Sequence, residues 1–347
     1  MRLPYRDPMK TASNYFAVAT GLLVEITSDD GLCGYGYADL FPRTGETIST
    51  AKAIIEEVFA PALKEQDPAA VVALMQKLEK QAAGNNRAKA AIEMALQDLR
   101  GKKARLPVYE FLGGKVRSKV VAMKMVGLKT PGEMAEDSKA LVGRGIKALK
   151  LKIGTGLKED VERVKRVRDT VGENIFIKVD ANQAYSLPEA RKIARRLADY
   201  GCETFEQPLP ADDWEGMISL SQDSPVPIEA DQTVRTVKDA LQVIRLKAAH
   251  IINTSPQKAG GISHAKLIAD LCTAAGIPCI VSNVAGSRIN DAAALHVIAA
   301  AASAYLPCEV SEFERIDGDP ASGIEVVDGE IEIPSAIGLG VEVLSPA

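Results

Sequence analysis

The spacing of hydrophobic positions changes character near residue 120. Ahead of that point the pattern is mixed. The run "GLLVEITSDDGLCGYGYADL" predicts two strands folded about the turn Ser28–Gly31. Helical periodicity follows in "TISTAKAIIEEVFAPAL", in "DPAAVVALMQKLEKQA", where Asp67-Pro68 predicts a cap and a first helical proline, and in "NNRAKAAIEMALQDLRGKKA". "LPVYEFLGG" reads as the linker out of this region. Beyond it, eight short apolar runs alternate with amphipathic helices: "VVAMKMV", "ALKLKIG", "IFIKVDAN", "CETFEQP", "VPIEAD", "AHIINTS", "PCIVSN" and "LPCEVSE". Strict βα alternation of this kind predicts a closed parallel (β/α)8-type barrel. A doubly wound open sheet fits less well, because "GLKTPGE" after the first strand is not a glycine-rich phosphate loop. The strand-rich tail "GIEVVDGEIEIPSAIGLGVEV" cannot extend a closed barrel and is expected to return to the N-terminal region. The reading is therefore α/β: an α+β capping domain over 1–114, a barrel over 115–315 and a returning segment over 316–347.

Composition narrows the function classes. Of 347 residues 46% are hydrophobic and 25% charged, and the net charge is −4, which fits a soluble globular protein and opposes nucleic-acid binding. No apolar run reaches the roughly 20 residues of a membrane helix, and the Ala-rich "DAAALHVIAAAASAYLP" reads as a packed helix. "MRLPYRDPMK" has no signal-peptide core, so a cytoplasmic location is expected. The five cysteines are scattered and read as reduced, buried small side chains. His264 and His296 have no partner at metal-ligand spacing, and His296 reads as packing.

Candidate chemistry lies at the strand ends. In "ALKLKIG", Lys150 and Lys152 share one strand face while Leu149, Leu151 and Ile153 share the other. Two ammonium groups held together are costly unless something compensates. From Lys152, steps of 28, 26, 25 and 24 residues lead to Asp180, Glu206, Asp231 and Ser255, one βα unit at a time. The three acids are expected at one height on adjacent strands, facing inward. Converging carboxylates repel unless a cation binds them, and an all-oxygen set suits Mg2+, with Mn2+ as its substitute. A dication and Lys150 would both favour the neutral form of Lys152, making it a general base. The metal would stabilise the enediolate formed when a carboxylate substrate loses its α-proton.

The motifs "LLVEITSDDGLCGYGYAD", "AAIEMALQDLRGK", "PVYEFLGG", "LKLKIG", "VDANQAY", "EQPLP", "PIEADQT" and "KAGGISHA" together resemble the enolase superfamily, in its mandelate racemase and muconate lactonizing enzyme branch. The resemblance implies Asp180, Glu206 and Asp231 as Mg2+ ligands, Lys152 as acid/base and Lys150 as its tuning neighbour. It also implies Asn182 behind the metal, and a substrate-selecting lid at 7–15 and 41–46. Members are commonly homo-oligomeric, and a homo-oligomer is expected here. The family's second lysine, five residues before "GG", is replaced by Ser255, with Lys258 three residues later. No histidine in "CIVSN" supplies the alternative base. The family's opening strand is expected to be missing.

Lys124 in "AMKMV" is a candidate to reach the barrel mouth, and Glu309 and Glu312 could meet a substrate amine or hydroxyl. Ser255 and Lys258 complete the candidate substrate contacts. With one lysine at the proper height, the sequence favours a Mg2+-dependent lyase (a dehydratase) or cycloisomerase acting on a small carboxylate. The alternatives are a racemase or epimerase of an amino or hydroxy acid, with Lys258 bending in, and a metal-binding relic without turnover.

Overall fold

The computed structural model describes residues 1–12, 14–283 and 286–344. The chain opens with strand β1 (Arg2–Lys10), which pairs antiparallel with β2 (Tyr15–Thr27), and β2 pairs with β3 (Cys33–Asp39). The opening strand is thus present. "RLPYRDPMK" lacks clean alternation because only Leu3, Tyr5 and Met9 are buried, leaving a mostly exposed edge strand. The turn is where "SDDG" places it, closed by Gly31 N–H donating to the Ser28 carbonyl. Asp67 caps a separate turn, through Ala69 N–H at 2.9 Å, and the helix after it begins only at Val71.

Three helical segments cover this sheet. Val24, Ala38 and Leu40 pack against Phe59, Leu74, Leu78 and Ile92. Helix Asn86–Ala104 is buried along almost its whole length, since it lies between the sheet and the barrel. Gly36 permits that approach: a Cβ there would stand 1.9 Å from the Ala91 carbonyl oxygen.

Strand β4 (Lys119–Val121) pairs antiparallel with the tail, so the run "VVAMKMV" splits and only its second half enters the barrel. The parallel sheet runs in order from β5 (Met123–Val126) through β6 (Ala148–Lys152), β7 (Phe176–Asp180), β8 (Thr204–Glu206), β9 (Ile228–Ala230) and β10 (Ile251–Thr254) to β11 (Cys279–Val281). Cys308 and Glu309 close the ring as a minimal eighth strand. Cys308 bridges Ala122 and Glu309 bridges Ser282, both in parallel. Three of the barrel helices start at capping boxes: Thr130 with Glu133, Ser186 with Glu189, and Thr236 with Asp239. These caps end their βα loops within a few residues of the strand, which keeps those loops short and those strand ends fixed.

Strands β12 (Ala321–Ser322) and β14 (Glu342–Val343) pair with each other, and β13 (Glu330–Glu332) pairs with β4. The tail therefore touches both halves of the molecule. Leu339 N–H donates to Asp98 of the long cap helix at 2.9 Å, while β13 lies against the barrel's entry strand.

Helix Arg288–Ala300 is the Ala-rich segment, and it is packed as expected. Its His296 joins three elements: Nδ1 accepts from Tyr109 N–H at 3.2 Å, so Nε2 carries the proton toward the Leu339 carbonyl at 3.1 Å. Burial pushes the His296 imidazole down to about 4 from its ordinary 6.5. Between those values the unfolded chain takes up a proton that the fold excludes. Stability from this group is complete above pH 6.5 and falls as pH drops toward 4, by about 2 kcal/mol or more over two pH units. Urea unfolding midpoints of the protein and of His296→Gln, compared at pH 7 and pH 5, should show a steeper acid loss in the unsubstituted protein. Equal slopes would contradict this assignment.

Among the described residues no helix is long and apolar enough to cross a membrane. The five cysteines are free, and all but Cys33 are buried.

Candidate active site

Register decides which side chains meet inside the barrel, because partners paired directly across parallel strands share a face. Met125 pairs with Lys150, Lys150 with Lys178, Lys152 with Asp180, Asp180 with Glu206 and Glu206 with Glu229. All of these point inward, while Leu149, Leu151, Ile177 and Val179 join the core packed against the helices.

The three expected ligands, Asp180, Glu206 and Asp231, line one inner chamber of about 100 Å3 together with Lys150, Lys152, Asn182 and Glu309. They are not at one height. Glu206 pairs with Glu229, so Asp231 stands one inward-facing position higher, just beyond the end of β9. Strands in a tilted barrel are staggered, which equal chain spacing does not reveal.

A second polar layer lies beneath. Lys178 is fully buried, with its Nζ 2.5 Å from Glu229, 2.6 Å from Glu206 and 2.7 Å from Glu309. Those three carboxylates are close enough together to hold a metal ion, but the Lys178 ammonium already serves as their cation. Thr204 and Asn253 each donate to Glu229 at 2.9 Å. Burial pushes the Lys178 ammonium down, but the surrounding glutamates outweigh it and raise it well above the ordinary lysine value. Neither Lys178 nor Glu229 was singled out from the sequence. The signal was available, since each lies two residues before a candidate ligand and so shares its face.

Lys150 bridges the layers, with Nζ 3.0 Å from Asp180, 2.8 Å from Glu206 and 2.8 Å from Glu309. Burial lowers its pKa, yet Asp180, Glu206, Glu309 and Asp231 together hold it well above the usual value. Burial and the Asp180 charge push Glu206 up, whereas Asp180, despite its burial, is drawn down by Lys150 and Lys152. Lys152 contacts Asp180 at 2.5 Å. Asn182, in a left-handed backbone conformation, donates its N–H to Asp180 Oδ1 at 2.8 Å and its amide to Oδ2 at 3.2 Å. Gln207 accepts the Asp231 N–H at 3.0 Å, fixing the backbone of the third acid.

The donor set fits a hard dication. It is oxygen-only, it converges on one chamber, and two buried oxygens there, Glu206 Oε2 and Asn182 Oδ1, have no hydrogen-bond partner. Ammonium groups approach Glu206 Oε2 within 2.8 Å, but not along hydrogen-bonding directions.

Other expected positions are rearranged. Lys124 pairs in register with Leu149, on the helix-facing side, and therefore misses the barrel mouth. It binds Glu314 at 2.5 Å and borders a separate cavity of about 440 Å3. Glu309 reaches the inner chamber, but its oxygens are taken by Lys150 and Lys178, so a free contact with substrate is not what it offers. Glu312 is buried and lines neither the inner chamber nor the larger chamber beside it.

Ser255 caps a one-turn helix, Pro256–Ala259, by accepting Lys258 N–H at 3.1 Å. Residues three apart on such a turn are neighbours, so Lys258 folds back over Ser255. Its Nζ lies 2.5 Å from Asp231 Oδ1 and 2.8 Å from the Asn253 carbonyl. Lys152 ends the second barrel strand and Lys258 follows the sixth. Four strands apart in a ring of eight is half the circumference, so the two ammonium groups flank the three acids from opposite sides.

Comparison with known proteins agrees with this architecture. Residues 1–113 match the model of the mandelate racemase / muconate lactonizing enzyme N-terminal domain, and 133–347 match the enolase C-terminal domain-like model. A hydrophobic dipeptide epimerase of Enterococcus faecalis is 34% identical over 352 residues, covering 98% of this chain and 96% of that protein. An N-succinyl-L-Arg/Lys racemase of Bacillus cereus is 31% identical over 299 residues, 86% of this chain and 81% of that one. The solved structure of dipeptide epimerase from Enterococcus faecalis, complexed with Mg and the dipeptide L-Leu-L-Tyr, aligns with a TM-score of 0.94 at 32% identity, covering 99% of this chain and 97% of the other. A dehydratase and cycloisomerases also match. Racemases and epimerases prominent among the relatives favour the sequence's alternative reading over elimination or cycloisomerisation.

Proposed function

This chain is an enzyme of the mandelate racemase and muconate lactonizing enzyme family of the enolase superfamily, and on that premise we propose that it racemises or epimerises the α-carbon of a small amino-acid derivative. The observation that carries the reading is the pair Lys152 and Lys258 on opposite sides of Asp180, Glu206 and Asp231. Inversion needs a proton acceptor on one face of the α-carbon and a donor on the other. Neutral Lys152 takes the α-proton, and the Lys258 ammonium returns one to the opposite face. The enzyme is left with Lys152 protonated and Lys258 neutral, ready for the reverse direction. Lys150 keeps its charge among Asp180, Glu206 and Glu309 and offers a fixed positive group beside the substrate carboxylate. Asn182 and Gln207 hold Asp180 and Asp231 in place. Mg2+ held by Asp180, Glu206 and Asp231 would offset the negative charge that builds on the substrate carboxylate as the α-proton leaves.

Single enantiomers of N-acyl amino acids and dipeptides, incubated with Mg2+ and followed by chiral chromatography, test this directly. Inversion should appear, disappear on treatment with EDTA and return with added Mg2+. Uptake of solvent deuterium at the α-carbon in D2O without inversion would instead establish one-base chemistry, with Ser255 marking the lost second base.

A further inference from the structure

The inner chamber, at about 100 Å3, holds little more than the reacting carboxylate and α-carbon of a substrate. Anything larger must extend into a neighbouring space. The cavity near Lys124 meets the inner chamber only at Met9 and Met125, of which Met9 is buried. The outer lobe, of about 300 Å3, shares Asp231, Gln232, Phe41, Arg43 and Ser282 with the inner chamber and is also lined by Lys258. A substrate whose α-carbon lies between Lys152 and Lys258 therefore continues into that lobe.

The lobe's chemistry is distinctive. Phe41 is its one large apolar side chain among the described residues, and Phe41 lies under the Arg87 guanidinium, 4.6 Å from it. Four cationic residues line the lobe (Arg43, Arg87, Arg235 and Lys258) against two acids, Glu46 and Asp231. Both acids are engaged, and so is Arg87, which pairs with the buried Asp39. Glu46 accepts the backbone N–H groups of Arg87 and Ala88 at 3.0 and 3.1 Å, and Asp231 binds Lys258. Amide side chains such as Asn86, Gln183 and Gln232 fill the rest of the wall. A hydrophobic group placed here would strip water from guanidinium and amide groups without replacing their hydrogen bonds. A carboxylate would gain charge-assisted bonds.

We propose that the substrates of this enzyme carry a second carboxylate at the far end from the reacting carbon, on an N-acyl arm or an adjoining residue, and that Arg43 and Arg235 select for it. This separates the chain from a relative named for hydrophobic dipeptides. It rests on the reading that the reacting carboxylate occupies the inner chamber.

The test uses ligands that bind without inverting. N-succinylglycine and its neutral isostere N-(4-methylpentanoyl)glycine are titrated by calorimetry into the Mg2+-loaded enzyme. The acidic ligand should bind at least tenfold tighter, and the preference should fall to near parity in the Arg43→Gln/Arg235→Gln double variant, with a smaller fall in Arg235→Gln alone. Equal affinities, or a preference for the neutral ligand, would overturn the proposal. So would an acidic preference that survives in the double variant. Turnover is measured separately on N-succinyl amino acids, acidic dipeptides and Leu-Tyr. Inversion of Leu-Tyr in preference to both acidic classes contradicts the inference while upholding racemisation. Acidic-ligand selectivity with no inversion of any substrate contradicts racemisation and leaves the lobe's assignment standing.

Discussion

Replacing Lys258 by Ala is expected to stop inversion while exchange of the α-proton with solvent continues from one enantiomer only. Inversion should fall by about 100-fold or more, the usual scale for removing a general acid or base. Lys152→Ala should show the mirror pattern, with surviving exchange confined to the other enantiomer. Lys258 also binds Asp231 at 2.5 Å. If it only held that acid, its loss would weaken Mg2+ binding and slow both faces equally. A base role predicts something different. Freed of an ammonium, Asp231 should bind Mg2+ as well as before or better, and the defect should be confined to one face. The deciding measurement is paired: Mg2+ affinity by calorimetry, and deuterium uptake by NMR from each enantiomer separately. Unchanged inversion in Lys258→Ala would show that a group other than Lys258 serves the second face.

The second large effect concerns stability. Lys178→Met should cost on the order of 3–5 kcal/mol, the range seen when one partner of a buried ion pair is removed. Glu206 and Glu309 would keep Lys150, but Glu229 would retain only Thr204 and Asn253. Adding Glu229→Gln removes the stranded charge, so the double variant should recover part of the loss. Urea unfolding of the two single variants and the double variant reads the coupling. If Lys178→Met is as stable as the parent, the ammonium is not the cation that holds this layer together.

The alternation of short strands with capped helices was legible in the chain, because period-two apolar runs and the boxes at Thr130, Ser186 and Thr236 are local signals. Asp180, Glu206 and the Lys150/Lys152 pair were legible for the same reason: each ends a strand at a fixed repeat. What local pattern could not carry was stagger and facing. Asp231 stands a step above its neighbours because barrel strands are tilted, and Lys124 faces the helices because β5 pairs with β6 in a register that alternation within one strand does not reveal. The return of Lys258 over Ser255 depends on a single helical turn between a strand and two glycines, too short for periodicity to report. The edge strand β1 offers no apolar stripe to read, because solvent faces most of it.

The proposed inversion requires two lysines acting from opposite faces, and one experiment with the unaltered enzyme addresses that most directly. A single enantiomer of an N-succinyl amino acid is incubated with the Mg2+-loaded enzyme in D2O, and both enantiomers are separated at low conversion and their α-deuterium counted. Two-base inversion predicts deuterium in essentially all of the inverted product from the earliest times, delivered by the lysine that faces solvent-exchanged protons. Product that keeps the original hydrogen, or deuterium that enters the starting enantiomer with no inverted product forming, would contradict it.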